Sequence, residues 1–256
     1  MMGLIGKIFT KDIVATLFPH FTCLVCRTEI NGEGQFLCGV CEKTLPRFEY
    51  KKDGKGKKVA SDIVSPFLYA NPVDILIMRF KYNAEGDIAK LFAPYMVGQI
   101  IKGCSNDKSR ATPKGSRAFD CLIPVPLSAE RFKQRGYNQA LLLANEVSKL
   151  TGIPVADVMV RTKKTTPQKK MTMGQRRENL KDAFCVVEDI KGKKVLLVDD
   201  VYTTGATAEE CTMVLRKAGA KSVKTLVIAR VAPSRTQNND MQSGSAPTED
   251  AFTDGG

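Results

Sequence analysis

Histidine is almost absent from this sequence, which holds a single one, His20, among 256 residues. Serine or cysteine nucleophiles need an adjacent base, most often histidine, so a Ser/His or Cys/His constellation is not expected. Long apolar runs are also missing, and none approaches the roughly 20 residues of a membrane-spanning helix. Met1–Pro19 lacks the apolar core and cleavage site of a signal peptide, because Lys7, Lys11 and Asp12 interrupt it. These absences predict a cytoplasmic protein with no membrane partner.

Acidic residues are outnumbered, and the chain carries 39 Lys and Arg against 27 Asp and Glu, a formal charge of +12. Such an excess favours anionic partners, and either a phosphorylated substrate or nucleic acid satisfies it. With 43% hydrophobic and 26% charged residues the chain has the composition of a globular protein. Its length suffices for a sizeable core in one large or two modest domains.

Four of the eight cysteines form two C-x-x-C pairs, Cys23 with Cys26 and Cys38 with Cys41, which are separated by 11 residues. Each pair can close a tight turn on one ion, so the four thiolates are expected to hold Zn²⁺ tetrahedrally. A closed site of this kind stabilises the fold and leaves no position for substrate. Free buried thiols and a redox C-x-x-C are the alternatives. The other cysteines show no ligand spacing: Cys104, Cys121, Cys185 and Cys211.

The most informative stretch is Lys194–Thr207, KVLLVDDVYTTGAT. Its apolar run Val195–Val198 predicts a strand buried on both faces of a parallel sheet. A helix with Gly219 as its stop is expected after the loop, and Thr207 and Glu210 have capping-box spacing. Strand, small hydroxyl residues and a helix N-terminus together indicate a phosphate cradle, although no Walker sequence is present. The loop residues expected to form it are Thr203, Thr204, Gly205, Ala206 and Thr207.

An acidic pair, Asp199 and Asp200, stands at the carboxyl end of the same strand, where open α/β sheets bind ligands. Carboxylates repel phosphate, so they are expected to face groups that need acceptors, such as sugar hydroxyls or Mg²⁺.

Two further stretches carry candidate phosphate ligands. Phe119–Pro126 predicts a short buried strand that Pro124 and Pro126 end. Leu127–Gln139 follows, and its Arg131, Lys133 and Arg135 suit charge-assisted contacts with pyrophosphate or a solvated basic turn. After it, Asn138–Leu150 predicts a helix that buries one face, namely Leu141, Ala144, Val147 and Leu150.

Alternating patterns predict an α/β fold, a doubly wound domain with a parallel sheet. The remaining elements are a strand in Ala60–Tyr69, a helix in Asn71–Tyr82 after Pro72, a helix in Ile88–Lys102 that Pro94 kinks or delays, and a strand in Thr225–Ala229. The expected organisation is an N-terminal segment with the cysteine module (1–48), a basic linker (49–58), the α/β domain (59–233) and a disordered tail (234–256).

The stretch Val195–Thr207 resembles the phosphoribosyl-pyrophosphate (PRPP) motif of type I phosphoribosyltransferases. With P-V-P-L at 124–127, R-G-Y-N-Q at 135–139, Phe80-Lys81-Tyr82 and the upstream C-x-x-C pairs, the chain resembles the ComF family of competence-associated proteins. The resemblance implies the type I phosphoribosyltransferase fold with an N-terminal zinc finger. It also implies that Asp199 and Asp200 hold the ribose hydroxyls, that Thr203–Thr207 holds the 5′-phosphate, and that the loop at Val125 and Pro126 receives pyrophosphate.

The implied activity is Mg²⁺-dependent phosphoribosyl transfer to a nucleobase-like acceptor, with Asp199, Asp200, Arg131 and Arg135 as catalytic residues and catalysis by positioning and electrostatics. The basic stretch Arg161–Lys181 corresponds to a mobile hood in that fold, while a disordered loop and a nucleic-acid surface are the alternatives. Its lack of aromatic residues weakens a base-stacking role. The rival functions are a competence accessory that binds single-stranded DNA and a zinc-dependent scaffold for a partner in the competence machinery.

Overall fold

The computed structural model describes residues 22–30, 34–50, 62–104, 118–162 and 180–232. Several predictions concern residues outside these ranges, namely His20, the linker beyond Tyr50, most of the basic stretch Arg161–Lys181 and the tail 234–256. The described elements in chain order are α1 (Gly39–Lys43), β1 (Ile63–Val64), β2 (Phe67–Leu68), α2 (Val73–Tyr82), α3 (Ile88–Cys104), β3 (Cys121–Pro124), α4 (Ala129–Arg135), α5 (Gln139–Thr151), β4 (Met159–Arg161), β5 (Phe184–Val186), β6 (Lys194–Tyr202), α6 (Ala206–Lys217) and β7 (Ser222–Arg230).

The central sheet is parallel, in the order β1-β7-β6-β3, with β2 also paired to β7. The predicted strand in Ala60–Tyr69 is thus two short strands, β1 and β2. Strands β4 and β5 form a separate antiparallel pair at the two ends of the undescribed part of the basic stretch.

Both faces of the sheet are covered, which confirms the α/β prediction. Leu196 and Val198 join an apolar cluster with residues of α2, α3 and α5. Val195 and Leu197 point the other way, into a second cluster with residues of α6. All four are fully buried, because side chains alternate along a strand and both layers of helices shield it.

The helices depart from the sequence expectation in two places. Helix α3 begins at Ile88 and contains Pro94, so the proline does not delay its start. The predicted buried face of α5 is confirmed at Ala144 and Val147, which are buried, and wrong at Leu150, which is 45% exposed. The buried residues of α5 are Gln139, Ala140, Leu143, Ala144, Val147 and Thr151. A strict spacing of three drifts around a helix of 3.6 residues per turn, whereas alternating steps of three and four keep to one face.

The cysteine module packs on the α/β domain. Ile30, Leu37 and Leu45 belong to the same apolar cluster as α2 and α3. Arg79 of α2 donates to the Leu24 carbonyl and pairs with Glu85. The Tyr95 hydroxyl of α3 donates to Glu42 at 2.8 Å. Within the described ranges, the structure has no helix of the length and apolarity needed to cross a membrane.

Candidate functional site

The turn from β6 into α6 forms a recess at the carboxyl edge of the sheet. Its lining includes Asp199, Tyr202 and all five loop residues from Thr203 to Thr207. The structure therefore brings the predicted phosphate loop and one predicted carboxylate together. Parallel strands direct their carboxyl ends to one edge, where the loops that follow them gather.

Gly205 shapes this loop through its backbone. Its φ is +85°, in the left-handed region that favours glycine, and it is the N-cap of α6. A Cβ at this position would lie 2.3 Å from the Tyr202 hydroxyl oxygen. The absence of a side chain at Gly205 therefore allows the Tyr202 ring to pack against the backbone of the loop.

The N-terminus of α6 has no side-chain cap, so the predicted capping box is wrong. The Glu210 carboxylate instead accepts a hydrogen bond from the Asp182 backbone N–H at 2.9 Å. The uncapped first-turn N–H groups and the helix dipole favour an anion in the recess.

The two aspartates lie in different environments. Asp199 is half-buried as a residue, lines the recess and accepts a hydrogen bond from the Asp200 backbone N–H at 2.8 Å. Burial, and then the charge of Asp200, raises the pKa of Asp199 to about 7. Asp200 is 8% exposed and forms an ion pair with Lys81 of α2, with 3.0 Å between Nζ and Oδ1.

The three predicted cations sit on or beside α4, which the Ser128 hydroxyl caps. Arg131 is exposed, and its charge acts on Asp199 and Arg161. Lys133 is exposed to solvent. Arg135 points elsewhere: it donates to the Gln139 side-chain oxygen at 2.9 Å, and its guanidinium lies 5.2 Å from the Tyr82 ring centre.

Val125 and Pro126 lie at the end of β3, beside β6. The Val125 N–H donates to the Val198 carbonyl at 2.9 Å, and the Val125 carbonyl accepts from the Asn138 amide at 3.2 Å. The polar backbone groups of Val125 thus join β3 to its neighbours, and this loop shares the sheet edge with the recess.

Sequence reasoning did not assign Lys81 or Tyr202 to the site. Lys81 stood inside the Phe80-Lys81-Tyr82 pattern, but nothing in the sequence connects it to Asp200. Tyr202 lies within the PRPP-like stretch, and its contact with Gly205 depends on a backbone turn that the sequence leaves open.

The four cysteines of the N-terminal module form a candidate metal centre. Their sulfur atoms lie within 4.8 Å of one another, and the sulfurs of Cys26 and Cys38 are 3.7 Å apart. Tetrahedral zinc with bonds of about 2.3 Å separates its sulfurs by about 3.8 Å. Hydrogen bonding with Thr28 lowers the pKa of Cys26 to about 6, which favours the thiolate that a metal binds, whereas burial raises the pKa of Cys41 to about 12. The donor set and spacing fit Zn²⁺.

The chain is similar in sequence to several known proteins. Residues 138–248 match the family model described as the phosphoribosyl transferase domain. Competence protein F of Haemophilus influenzae is 30% identical over 236 residues, 83% of this chain and 98% of that protein. DNA utilization protein YhgH of Escherichia coli O157:H7 is 31% identical over 163 residues, 63% of this chain and 69% of that protein. A solved structure of the allosteric regulatory enzyme of purine biosynthesis has a TM-score of 0.35 and 19% identity; the match covers 59% of this chain and 29% of that one.

Proposed function

This chain belongs to the competence protein F family, and we propose that it binds PRPP with Mg²⁺ and transfers the phosphoribosyl group to a nucleobase-like acceptor. Its α/β domain is a type I phosphoribosyltransferase domain, a parallel sheet with helices. One observation supports the proposal most directly: Asp199 and the five residues Thr203–Thr207 line one recess beside the uncapped N-terminus of α6.

In this proposal the 5′-phosphate of PRPP lies on Thr203–Thr207. Backbone N–H groups, threonine hydroxyls and the helix dipole stabilise its charge. Asp199 and Asp200 are the acceptors for the ribose hydroxyls in this proposal. Asp199 lines the recess directly, whereas Asp200 is paired with Lys81 on the other face of β6.

Arg131, whose charge lowers the pKa of Asp199, meets the departing pyrophosphate in this proposal. Val125 and Pro126 would contribute from the neighbouring edge. Arg135, which contacts Gln139 and the Tyr82 ring, would reach the pyrophosphate only after leaving those contacts.

Catalysis then consists of positioning and electrostatics. A ribosyl-cation-like transition state needs no protein nucleophile, which suits a site without histidine among its described residues. The carboxylates of the acidic pair are oxygen donors of the kind Mg²⁺ prefers, and Mg²⁺ is usually held by one or two carboxylates together with substrate phosphates. When bound, Mg²⁺ would neutralise part of the negative charge of pyrophosphate.

Calorimetric titration with PRPP and Mg²⁺ tests the binding step. The wild-type protein should bind, and the variant D199N/D200N should lose detectable binding, because each side chain loses its negative charge and exchanges one acceptor oxygen for an NH₂ donor. The matched control is Asp87→Asn, since Asp87 is exposed and pairs with Lys90 on the surface. Absence of binding by the wild type would refute the proposal, and equal affinity in D199N/D200N would remove the acidic pair from the role.

Pyrophosphate release tests the transfer step. The protein is incubated with PRPP, Mg²⁺ and one nucleobase at a time, and release above the base-free rate identifies the acceptor. Binding without release for every base would restrict the proposal to a ligand-binding protein.

A second candidate function is contact with single-stranded DNA. The +12 charge favours it, and a relative at 31% identity is called a DNA utilization protein. Binding to the backbone should weaken with salt, with a log–log slope of about −0.7 per phosphate contacted. Fluorescence anisotropy of a labelled oligonucleotide across a salt series measures this slope, and a flat response or no binding near physiological salt would count against it.

A further inference from the structure

The acidic pair at the end of β6 opposes the binding of a polyanion. Two carboxylates beside a phosphate loop repel every phosphate that approaches, and the repulsion grows where protein replaces water. A site that uses Asp199 and Asp200 for hydroxyl groups therefore needs positive charge close to them.

Lys81 supplies such a charge from a distant part of the chain. Its ammonium lies 3.0 Å from Asp200, and the two side chains are only 16% and 11% exposed. It also acts on the second carboxylate, because its charge lowers the pKa of Asp199 against the larger opposing effect of burial. Lys81 thus compensates one of the two charges and moderates the other.

A contribution to folding stability is a weak explanation for the buried ion pair between Lys81 and Asp200. Removing two charges from water costs roughly as much as their attraction returns, so buried ion pairs are often neutral for folding. The more direct consequence is local. The Lys81 ammonium compensates the charge of Asp200, and the other carboxylate of the pair, Asp199, lines the recess.

The residues around Lys81 fix its position. The Phe80 carbonyl, in the last turn of α2, accepts hydrogen bonds from the Tyr137 hydroxyl and, at 3.4 Å, from the Gln139 amide. Arg135 in turn holds Gln139 and lies over the Tyr82 ring. The two sequence patterns, Phe80-Lys81-Tyr82 and R-G-Y-N-Q at 135–139, therefore form one contact network, with Lys81 at its site-facing end.

We propose that Lys81 is a positioning residue of the PRPP site, which acts through Asp200: its ammonium neutralises that carboxylate and so admits a polyanionic sugar phosphate next to Asp199. Arg135, Tyr137 and Gln139 hold the end of α2 that carries it. This inference rests on the proposed function.

A double-mutant cycle between Lys81 and Asp200 tests it, with PRPP affinity measured by calorimetry in the presence of Mg²⁺. D200N should keep measurable affinity, because Asp199, the carboxylate that lines the recess, is unchanged and the amide oxygen of the new side chain can still accept a hydrogen bond. Lys81→Met should weaken binding about tenfold in the wild-type background and less than about threefold in the D200N background, because the charge to be neutralised is gone. Loss of all measurable binding in D200N would show that the charge of Asp200 is itself required and would overturn the inference. Lys81→Arg keeps the charge and should stay within about threefold of wild type. The matched control is Lys90→Met, which breaks an exposed Lys–Asp pair and should leave affinity unchanged.

Salt dependence separates electrostatic compensation from structural support. Repulsion between Asp200 and PRPP is screened as salt rises from about 0.01 M to about 1 M, over which the Debye length falls from about 30 Å to about 3 Å. The affinity ratio of wild type to Lys81→Met should therefore shrink with salt. A ratio independent of salt would identify a structural role and overturn the inference.

The remaining outcomes are also decisive. If wild type binds PRPP and Lys81→Met binds equally well, or loses the same factor in the D200N background, the inference fails while the proposed function stands. If wild type binds no PRPP, both fail. Lys81→Met leaves the Asp200 carboxylate buried and unpaired, so it can melt far below wild type. In that case the test uses two variants without an unpaired buried carboxylate. Lys81→Arg is compared with wild type, and Lys81→Met/D200N is compared with D200N.

Discussion

At the scale of single residues, the acidic pair shows how strand geometry gives neighbours different chemistry. Successive side chains of β6 point to opposite faces of the sheet. Asp200 follows the direction of Leu196 and Val198, toward the layer that contains α2 and its Lys81. Asp199 points to the other side, where its charge acts on Cys211 of α6. One carboxylate is therefore compensated, and the other is desolvated next to the recess.

The raised pKa of Asp199 predicts a pH effect on stability. Burial and the charge of Asp200 raise this pKa from 3.8 to about 7, whereas Lys81 and Arg131 lower it. Between these values the native state binds more protons than the unfolded state, so the free energy of unfolding falls as pH rises through the window. Asp199→Asn lacks this titration. The variant should gain stability relative to wild type from about pH 4 to about pH 7.

Chemical denaturation of wild type and Asp199→Asn across this pH range measures the effect. The two proteins differ in one titrating group, so the pH dependence of the difference in unfolding free energy reports Asp199 together with the neighbours on which its charge acts. A pH-independent difference would contradict the prediction.

At the scale of elements, the connection between β6 and α6 combines confirmed and corrected predictions. The strand, the loop and the helix stop at Gly219 follow the sequence pattern. The predicted capping box of Thr207 and Glu210 does not form. The helix begins instead after Gly205, which has a positive φ, and no side chain caps its first-turn N–H groups. The same backbone conformation places Tyr202 over the glycine.

Gly205→Ala should therefore destabilise the protein by about 1–3 kcal/mol, since a left-handed conformation is costly for alanine and its Cβ would meet the Tyr202 ring. Denaturant unfolding measures the change. Gly98→Ala is the control, because a Cβ added there would have nothing within 4 Å and α3 should gain up to about 1 kcal/mol. Equal stability of Gly205→Ala and wild type would show that the loop adapts.

At the scale of the whole molecule, the cysteine module and the α/β domain share one apolar cluster. Arg79 connects them through the Leu24 carbonyl, and its bond with Glu85 fixes the guanidinium. Arg47 reinforces the junction, with its guanidinium 4.9 Å from the Phe67 ring centre and 4.7 Å from that of Tyr95. Metal binding in the module should consequently stabilise the whole chain.

Cys26→Ser should lose the bound zinc and lower the melting temperature, because removing one of four thiolates opens the tetrahedral site and binding free energy is folding free energy here. Zinc per chain, measured by release to a colorimetric chelator, and thermal unfolding check both effects. Cys185→Ser, at a half-buried cysteine outside the cluster, is the control and should keep its zinc. Full zinc content in Cys26→Ser would refute a four-cysteine centre.

The sequence by itself determined the features whose signals are local. The apolar run before Asp199, the small residues after it and the paired C-x-x-C spacing each lie within a short stretch, where backbone propensity and residue spacing dictate the outcome. Fold class followed, because alternating strand and helix patterns leave few ways to bury both faces of a parallel sheet.

Only the tertiary structure decided which distant side chains meet. It paired Lys81 with Asp200, directed Arg135 to Gln139 and Tyr82, rotated the buried face of α5 and joined the cysteine module to α2 and α3. These outcomes depend on packing free energy summed over many contacts between residues far apart in the chain, and no short stretch of sequence contains that sum.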